Sequence, residues 1–248
     1  MTPSARYSSA AKAGANHLRL NVSRLPVTFG LIAACVFVYF GVAAVAASVG
    51  ISFGISLLNQ PPEVLILGAL VPEFVAQGEA WRLVTSTFLH SGITHLALNM
   101  LSLYFLGAFA EVSFGRGRFL ALYLLSGIAG GLAYLYFGGG GFAVGASGAI
   151  FGLLGGVFGF TIRQGTFSTQ NPIIRQLLIL TALNLFLGAT IPNVSNTAHI
   201  GGLLGGLVYG YLLAPTVYSQ KRFAAAVPVA IAFGLEALIL AAWYLLVL

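Results

Sequence analysis

One serine and one histidine stand out because each lies in a glycine-rich, otherwise apolar segment. Ser147 lies in "VGASGAIFG" and His199 lies in "AHIGGLLGG". A serine hydroxyl becomes an effective nucleophile when a base within about 3 Å takes its proton, and imidazole is the side chain used most often as that base. If the fold brings the two residues together, they predict nucleophilic catalysis of acyl transfer.

Acyl transfer also needs hydrogen-bond donors for the charged oxygen of the tetrahedral intermediate. His95 and Asn99 are four residues apart and therefore share one face of a helix. Their side chains are candidate donors. The unpaired backbone N–H groups of a helix that begins near Ser147 are further candidates, and the positive end of the helix dipole assists them.

The chain contains no aspartate, so a Ser–His–Asp triad is excluded. We predict a Ser–His dyad whose imidazole is held by packing. Phe151 lies one helical turn after Ser147 and is the candidate to stack against His199. Gly145, just before the serine, allows the backbone to turn tightly.

The chain lacks the residues that two other kinds of hydrolytic site require. An aspartyl site needs two aspartates, and a zinc metallopeptidase site is expected to carry H-E-x-x-H; neither occurs here. A metal site formed by His90, His95 and His199 stays open, although no carboxylate lies near them in sequence. We interpret His90 as a structural residue.

The composition is that of an integral membrane protein. Of 248 residues, 58% are apolar and 6% are charged, and the mean hydropathy is +0.96; soluble domains carry about 25% charged residues. The 32 glycines indicate helices that pack through small faces. The net charge of +6 would suit nucleic acid, but the basic residues follow a membrane topology, so we predict no nucleic-acid partner.

Seven apolar segments approach or exceed the roughly 20 residues that cross a bilayer as a helix. We predict an all-α, polytopic helical bundle. Its spans are 25–48, 92–110, 119–137, 147–162, 175–190, 199–217 and 225–247. Of the 11 Lys and Arg residues, Arg82 alone lies on the outer side of these spans. The positive-inside rule therefore predicts a cytoplasmic N-terminus.

This topology places the polar residues near one face of the membrane. The second, fourth and sixth spans all run inward, and they begin near His95, Ser147 and His199 respectively. Small residues recur every four positions on the fourth and sixth spans, at Gly148, Gly152, Gly156, Gly202, Gly206 and Gly210. Such faces let helix backbones approach closely, so contact between these spans would bring Ser147 to His199.

These residues resemble the rhomboid family of intramembrane serine proteases. The resemblance covers roughly residues 66–210. It rests on "GEAWRLVTSTFLHSGITHLALNM" (78–100), "GASGAIFG" (145–152) and "AHIGGLLGG" (198–206), which occur in the family's order and with suitable spacing.

The resemblance implies a role for each matching residue. Ser147 matches the nucleophile and His199 the general base. His95 and Asn99, with the backbone N–H of Ser147, match the oxyanion-stabilising positions. The supporting positions are Gly145, Phe151 and Gly202. Trp81 and Arg82 match a structural motif in the first loop, and Glu111 matches a structural acid near the cytoplasmic end of the second span.

The resemblance also implies an architecture and partners. The family's core has six helices, so the seventh span is an added C-terminal helix. The expected parts are a basic cytoplasmic tail (1–24), a catalytic core (25–217), and a linker with the seventh helix (218–248). Substrates are expected to be single-span membrane proteins, and no cofactor is implied. The oligomeric state is not predicted.

The expected location is a bacterial plasma membrane, with the active site toward the outer face. The mitochondrial inner membrane is the alternative, because residues 1–24 are basic and free of acid, as transit peptides are. An inactive rhomboid-like protein that binds membrane clients also stays open, although such relatives generally lack the serine or the histidine. A transporter function also stays open. The polar residues of a transporter would follow a continuous path across the membrane, whereas those of this chain cluster near one face. Glu236, in mid-span, is interpreted as a structural or assembly residue.

Overall fold

The computed structural model describes residues 25–52, 58–191, 194–219 and 223–247. The predicted tail at 1–24 lies outside the described residues, as do 220–222 of the predicted linker. Seven long helices occur in the described part of the chain. They are α1 (Pro26–Ser48), α2 (Ile93–Phe114), α3 (Arg116–Phe137), α4 (Ser147–Arg163), α5 (Pro172–Thr190), α6 (Asn196–Val217) and α7 (Ala226–Val247).

Each predicted span coincides with one of these helices, which confirms the predicted helical membrane fold. Six of the seven are long and apolar enough to cross a bilayer, and α4 is a shorter apolar helix of 17 residues. Helices α5 and α6 begin three residues before the predicted spans, because polar residues cap them. Asn171 accepts a hydrogen bond from Ile173 N, and Ser195 accepts one from Ala198 N.

Helix α4 lies at the centre of the bundle, between α3 and α6. Its residues from Gly148 to Gly159 are all buried. The contact with α6 is made backbone to backbone: a Cβ at Gly206 would overlap the carbonyl of Gly152, and a Cβ at Gly210 would overlap that of Gly156. The four-residue glycine repeat therefore works as the sequence predicts, since side chains there would force the helices apart.

Glu111 joins the end of α2 to the beginning of α1. Its buried carboxylate accepts hydrogen bonds from Val27 N (3.1 Å), Thr28 N (2.8 Å) and Thr28 Oγ1 (2.7 Å). These backbone N–H groups have no acceptor within α1, because they belong to its first turn. A carboxylate from a second helix therefore caps α1, at the end where the helix dipole favours negative charge.

Helices α5 and α7 lie at the edge of the bundle. In each, only 17% of the apolar span is buried, against 61% in α3. Helix α7 is held by buried polar contacts: Tyr209 OH donates to Glu236 Oε1 at 2.6 Å, and Trp243 Nε1 donates to the Leu135 carbonyl at 3.2 Å. Glu236 thus bonds to α6 within the bundle.

The chain between α1 and α2 folds against the bundle in short helical turns, Pro62–Leu65, Pro72–Ala76 and Arg82–Thr85, followed by a 3₁₀ turn at Ser86–Phe88. We refer to residues 58–92 as the first loop. Two isolated backbone bridges, Asn59 with Gly92 and Leu70 with Ala143, fasten this loop to itself and to the segment before α4.

Candidate active site

Ser147 and His199 meet where α4 and α6 begin. His199 Nε2 lies 2.9 Å from Ser147 Oγ, which is hydrogen-bonding distance. Ser147 is the first residue of α4, so its hydroxyl lies beside backbone N–H groups that have no acceptor within the helix. The serine and histidine singled out by the sequence are therefore brought together, although 52 residues separate them in the chain.

The imidazole of His199 is buried and held on two sides. The Phe151 ring stacks on it with centroids 4.4 Å apart and planes 14° from parallel. Its second nitrogen, Nδ1, lies 3.3 Å from Oδ1 of Asn196. Asn196 was not among the site residues predicted from the sequence. The available signal was its spacing, because a polar residue three positions before a helical histidine lies on the same face.

Gly202 allows this close approach. A Cβ at Gly202 would overlap the backbone carbonyl of Gly148, the residue that follows the serine. Because the obstructing atom belongs to the backbone, it cannot rotate away as a side chain can. Gly202 therefore sets the separation of α4 and α6 at the level of the Ser147–His199 pair.

His95 packs against the backbone just before the serine. Gly145 has φ +128°, and a Cβ there would lie 2.8 Å from His95 Cε1 and Nε2. On the other edge of the ring, Nδ1 lies 3.4 Å from Ser91 N and 3.1 Å from Ser91 Oγ. A backbone N–H can only donate, so Nδ1 accepts and Nε2 carries the hydrogen. The donor Nε2–H is therefore the edge that faces Gly145.

Asn99 lies one turn after His95 and is buried. Its Nδ2 donates to the His95 carbonyl at 3.0 Å. This bond uses one of the two amide hydrogens, and the other remains a candidate donor.

Comparison with known proteins identifies the family of the chain. A family model described as the rhomboid domain matches residues 77–216, more than half of the chain. The chain belongs to the rhomboid family.

Rhomboid relatives from two organisms each match more than half of the chain. Rhomboid protease GluP of Bacillus subtilis is 37% identical over 170 residues, which are 67% of this chain and 33% of GluP. RHOMBOID-like protein 4 of Arabidopsis thaliana is 42% identical over 149 residues, 59% of this chain and 38% of the relative. The mitochondrial RHOMBOID-like protein 6 of the same plant is 40% identical over 149 residues, which are 59% of this chain and 48% of that relative. The chain spans about a third to a half of the length of these relatives.

In this rhomboid, Arg82 holds the first loop together. Its guanidinium bonds to Glu79 Oε2 (2.7 Å) and to the carbonyls of Ile66 (2.6 Å) and Ala69 (2.8 Å). It lies 4.6 Å from the ring centroid of Trp81, which is 48% exposed. These contacts lie in the loop and involve neither Ser147 nor His199.

The first loop in turn fixes the segment that carries the serine. Leu70 and Ala143 exchange two backbone hydrogen bonds, of 3.0 and 2.9 Å, and Gly145 N donates to the Ser86 carbonyl at 2.9 Å. Arg82 donates to the carbonyl of Ala69, the residue before Leu70. By fixing this part of the loop, Arg82 also helps to fix the segment at 143–146 that leads into Ser147.

His90 packs edge-on against His95, with centroids 5.1 Å apart. Burial lowers the pKa of His90 to about 3, and the nearby His95 lowers it in the same direction. His90 is therefore neutral at ordinary pH. Over the described residues, no three His, Cys, Asp or Glu side chains are grouped as ligands for a metal ion.

Proposed function

We propose that this rhomboid is an intramembrane serine endopeptidase that cleaves single-span membrane proteins with a Ser147–His199 dyad. One observation carries the proposal: the 2.9 Å contact between Ser147 Oγ and His199 Nε2, formed by the ends of two closely packed helices. The similarity to a relative named rhomboid protease GluP supports the same activity.

The geometry suits a two-step acyl transfer. His199 Nε2 takes the hydroxyl proton as Ser147 Oγ attacks the scissile carbonyl carbon, and the carbonyl oxygen becomes an oxyanion. The imidazolium then gives its proton to the leaving amine, the C–N bond breaks, and an acyl-enzyme remains. A water molecule gives a proton to His199 as it attacks the ester, and the proton returns to Ser147 when the acid product leaves.

Three groups are proposed as oxyanion donors. The backbone N–H of Ser147 lies at the unpaired end of α4, and the Nε2–H of His95 faces the backbone of Gly145 beside it. Asn99 retains one amide hydrogen beyond its bond to His95. Donors fixed in place before the reaction stabilise developing charge without reorganisation in the transition state.

We propose that the site opens toward the outer face of a bacterial plasma membrane, with the N-terminus in the cytoplasm. The distribution of Lys and Arg supports this orientation. Residues 25–217 would form the catalytic core, and α7 the added C-terminal helix. Substrate helices would enter from the bilayer and unwind beside Ser147.

Labelling with a fluorescent fluorophosphonate tests the proposal. The purified protein in detergent should be labelled, Ser147→Ala should not be labelled, and His199→Ala should be labelled at least about 100-fold more slowly, since a general base contributes that much or more. Ser48→Ala is the matched control: Ser48 is an exposed serine at the end of α1 and should not matter. Cleavage of a model single-span substrate should follow the same order.

Two results would contradict the proposal. Equal labelling of wild type and Ser147→Ala would show that another residue reacts. A folded wild type that neither reacts with the probe nor cuts the substrate would favour the inactive client-binding function.

A further inference from the structure

Asn196 joins the catalytic histidine to a different helix. Its Oδ1 lies 3.3 Å from His199 Nδ1, while its Nδ2 donates to the Leu185 carbonyl of α5 at 2.9 Å. Gly188, one turn further along α5, lies against the same amide: a Cβ there would overlap Asn196 Oδ1. One side chain thus contacts α5 with one atom and His199 with the other.

These partners determine which way the amide faces. A backbone carbonyl can only accept, so the amide atom that faces Leu185 is the nitrogen, and the oxygen faces His199. An amide oxygen also only accepts, so Nδ1 of His199 must carry a hydrogen. The neutral ring then has its lone pair on Nε2, which is the atom that faces Ser147.

We propose that Asn196 is a positioning residue that holds His199 in the tautomer able to accept the serine proton. Helix α5 holds the Asn196 amide in the orientation that this requires. The inference rests on the proposed serine-protease function. Phe151 restrains the plane of the ring but contacts both tautomers alike, so stacking by itself does not select one. The hydrogen bond to Asn196 does.

Because Asn196 bonds to both α5 and His199, the reactivity of Ser147 should depend on the position of α5. This helix is among the least buried of the bundle, and its Leu185 carbonyl is the acceptor that fixes the amide. When α5 lies away from Asn196, the amide is free to turn and the preference for Nδ1–H is lost.

Substitutions at Asn196 separate positioning from packing. Asn196→Ala removes the acceptor, and we expect the rate of fluorophosphonate labelling and the kcat for substrate to fall about tenfold with KM unchanged, because one hydrogen bond is worth about that factor. Asn196→Asp keeps an acceptor toward Nδ1 and should restore most of the rate. It should also lower the unfolding temperature, since a carboxylate facing the Leu185 carbonyl is unfavourable.

Asn184→Ala is the matched control. Asn184 lies in α5, and its Nδ2 likewise donates to a backbone carbonyl, that of Leu180 in its own helix. Its removal should change neither labelling nor kcat.

The role of α5 is tested by a double-mutant cycle. Gly188→Ala should slow labelling in the wild type, because the new methyl group displaces the Asn196 amide. In an Asn196→Ala background the methyl group has no amide to displace, so Gly188→Ala should add little further loss. Gly30→Ala, where a Cβ meets nothing within 4 Å, is the control for a helical glycine.

The outcomes distinguish this inference from the function on which it rests. Normal labelling of Asn196→Ala, with no labelling of Ser147→Ala, overturns the positioning role and leaves the protease proposal intact. Equal loss in Asn196→Ala and Asn196→Asp, or additive losses in the cycle, also overturns it. A wild type that is not labelled removes both.

Discussion

Replacing Gly202 by alanine tests whether the backbone contact between α4 and α6 positions the Ser147–His199 pair. The added Cβ would overlap the carbonyl carbon and oxygen of Gly148. In real structures a Cβ essentially never lies within 3.0 Å of a non-bonded heavy atom such as this carbonyl carbon or oxygen. The two helices must therefore separate. The substitution removes no polar group from the site, so any loss of reactivity would come from displacement alone.

The magnitude follows from the distances. Ser147 Oγ and His199 Nε2 are 2.9 Å apart, and an increase of about 1 Å in this distance takes them beyond hydrogen-bonding range. A misplacement of about 1 Å in a catalytic site costs about 100-fold in rate. Overpacking a tight interface costs about 1–3 kcal/mol of stability. We therefore expect Gly202→Ala to be labelled at least about 100-fold more slowly and to unfold at lower temperature.

Fluorophosphonate labelling rates and thermal unfolding in detergent measure the two effects. Gly30→Ala in α1 is the control, and it should label normally, with stability unchanged or raised slightly by the better helix propensity of alanine. Wild-type labelling and stability in Gly202→Ala would refute the reasoning, because α4 and α6 would then tolerate a separation that we take to be decisive.

Three further predictions concern stability. Glu111→Ala leaves the first N–H groups of α1 uncapped and should cost about 3 kcal/mol, measured by unfolding in detergent, while Glu111→Gln should cost less. Tyr209→Phe leaves Glu236 buried without its hydrogen bond and should cost about 1–3 kcal/mol without slowing the labelling of Ser147; equal unfolding temperatures would contradict it. His90 takes up a proton in the unfolded chain below its ordinary pKa of 6.5 but in the folded protein only near pH 3. Stability should therefore fall between pH 6.5 and 3 by up to about 1.4 kcal/mol per pH unit, and His90→Gln should flatten that slope.

The sequence was sufficient to predict the helices and the meeting of two of them. Membrane spans are long, uniformly apolar segments, so their positions are visible without tertiary information. The α4–α6 contact was predictable because backbone contact requires the absence of side chains, and the glycine repeat records that absence directly. The same repeat placed Ser147 next to His199.

Contacts formed between elements without such a pattern were not predictable. The first loop is apolar, but its helical turns are short and follow no regular pattern. Its fold depends on hydrogen bonds from Arg82 to the carbonyls of Ile66 and Ala69, which no periodicity reveals. Asn196 was missed for a similar reason. Its spacing to His199 is visible in the sequence, but its amide orientation depends on Leu185 of another helix.

An asparagine beside the histidine would suit the proposed intramembrane site. A charged aspartate at bilayer depth costs about 2.5–3.5 kcal/mol even by the lower estimates, and a buried carboxylate must find enough partners to offset its lost hydration. The amide of Asn196 offers an oxygen acceptor to Nδ1 without that cost, and its nitrogen satisfies the Leu185 carbonyl, which a carboxylate cannot do. On this reasoning the absence of aspartate from the chain is compatible with an oriented base, because the orienting group is neutral. Asn196→Asp should keep most of the reactivity and lose stability.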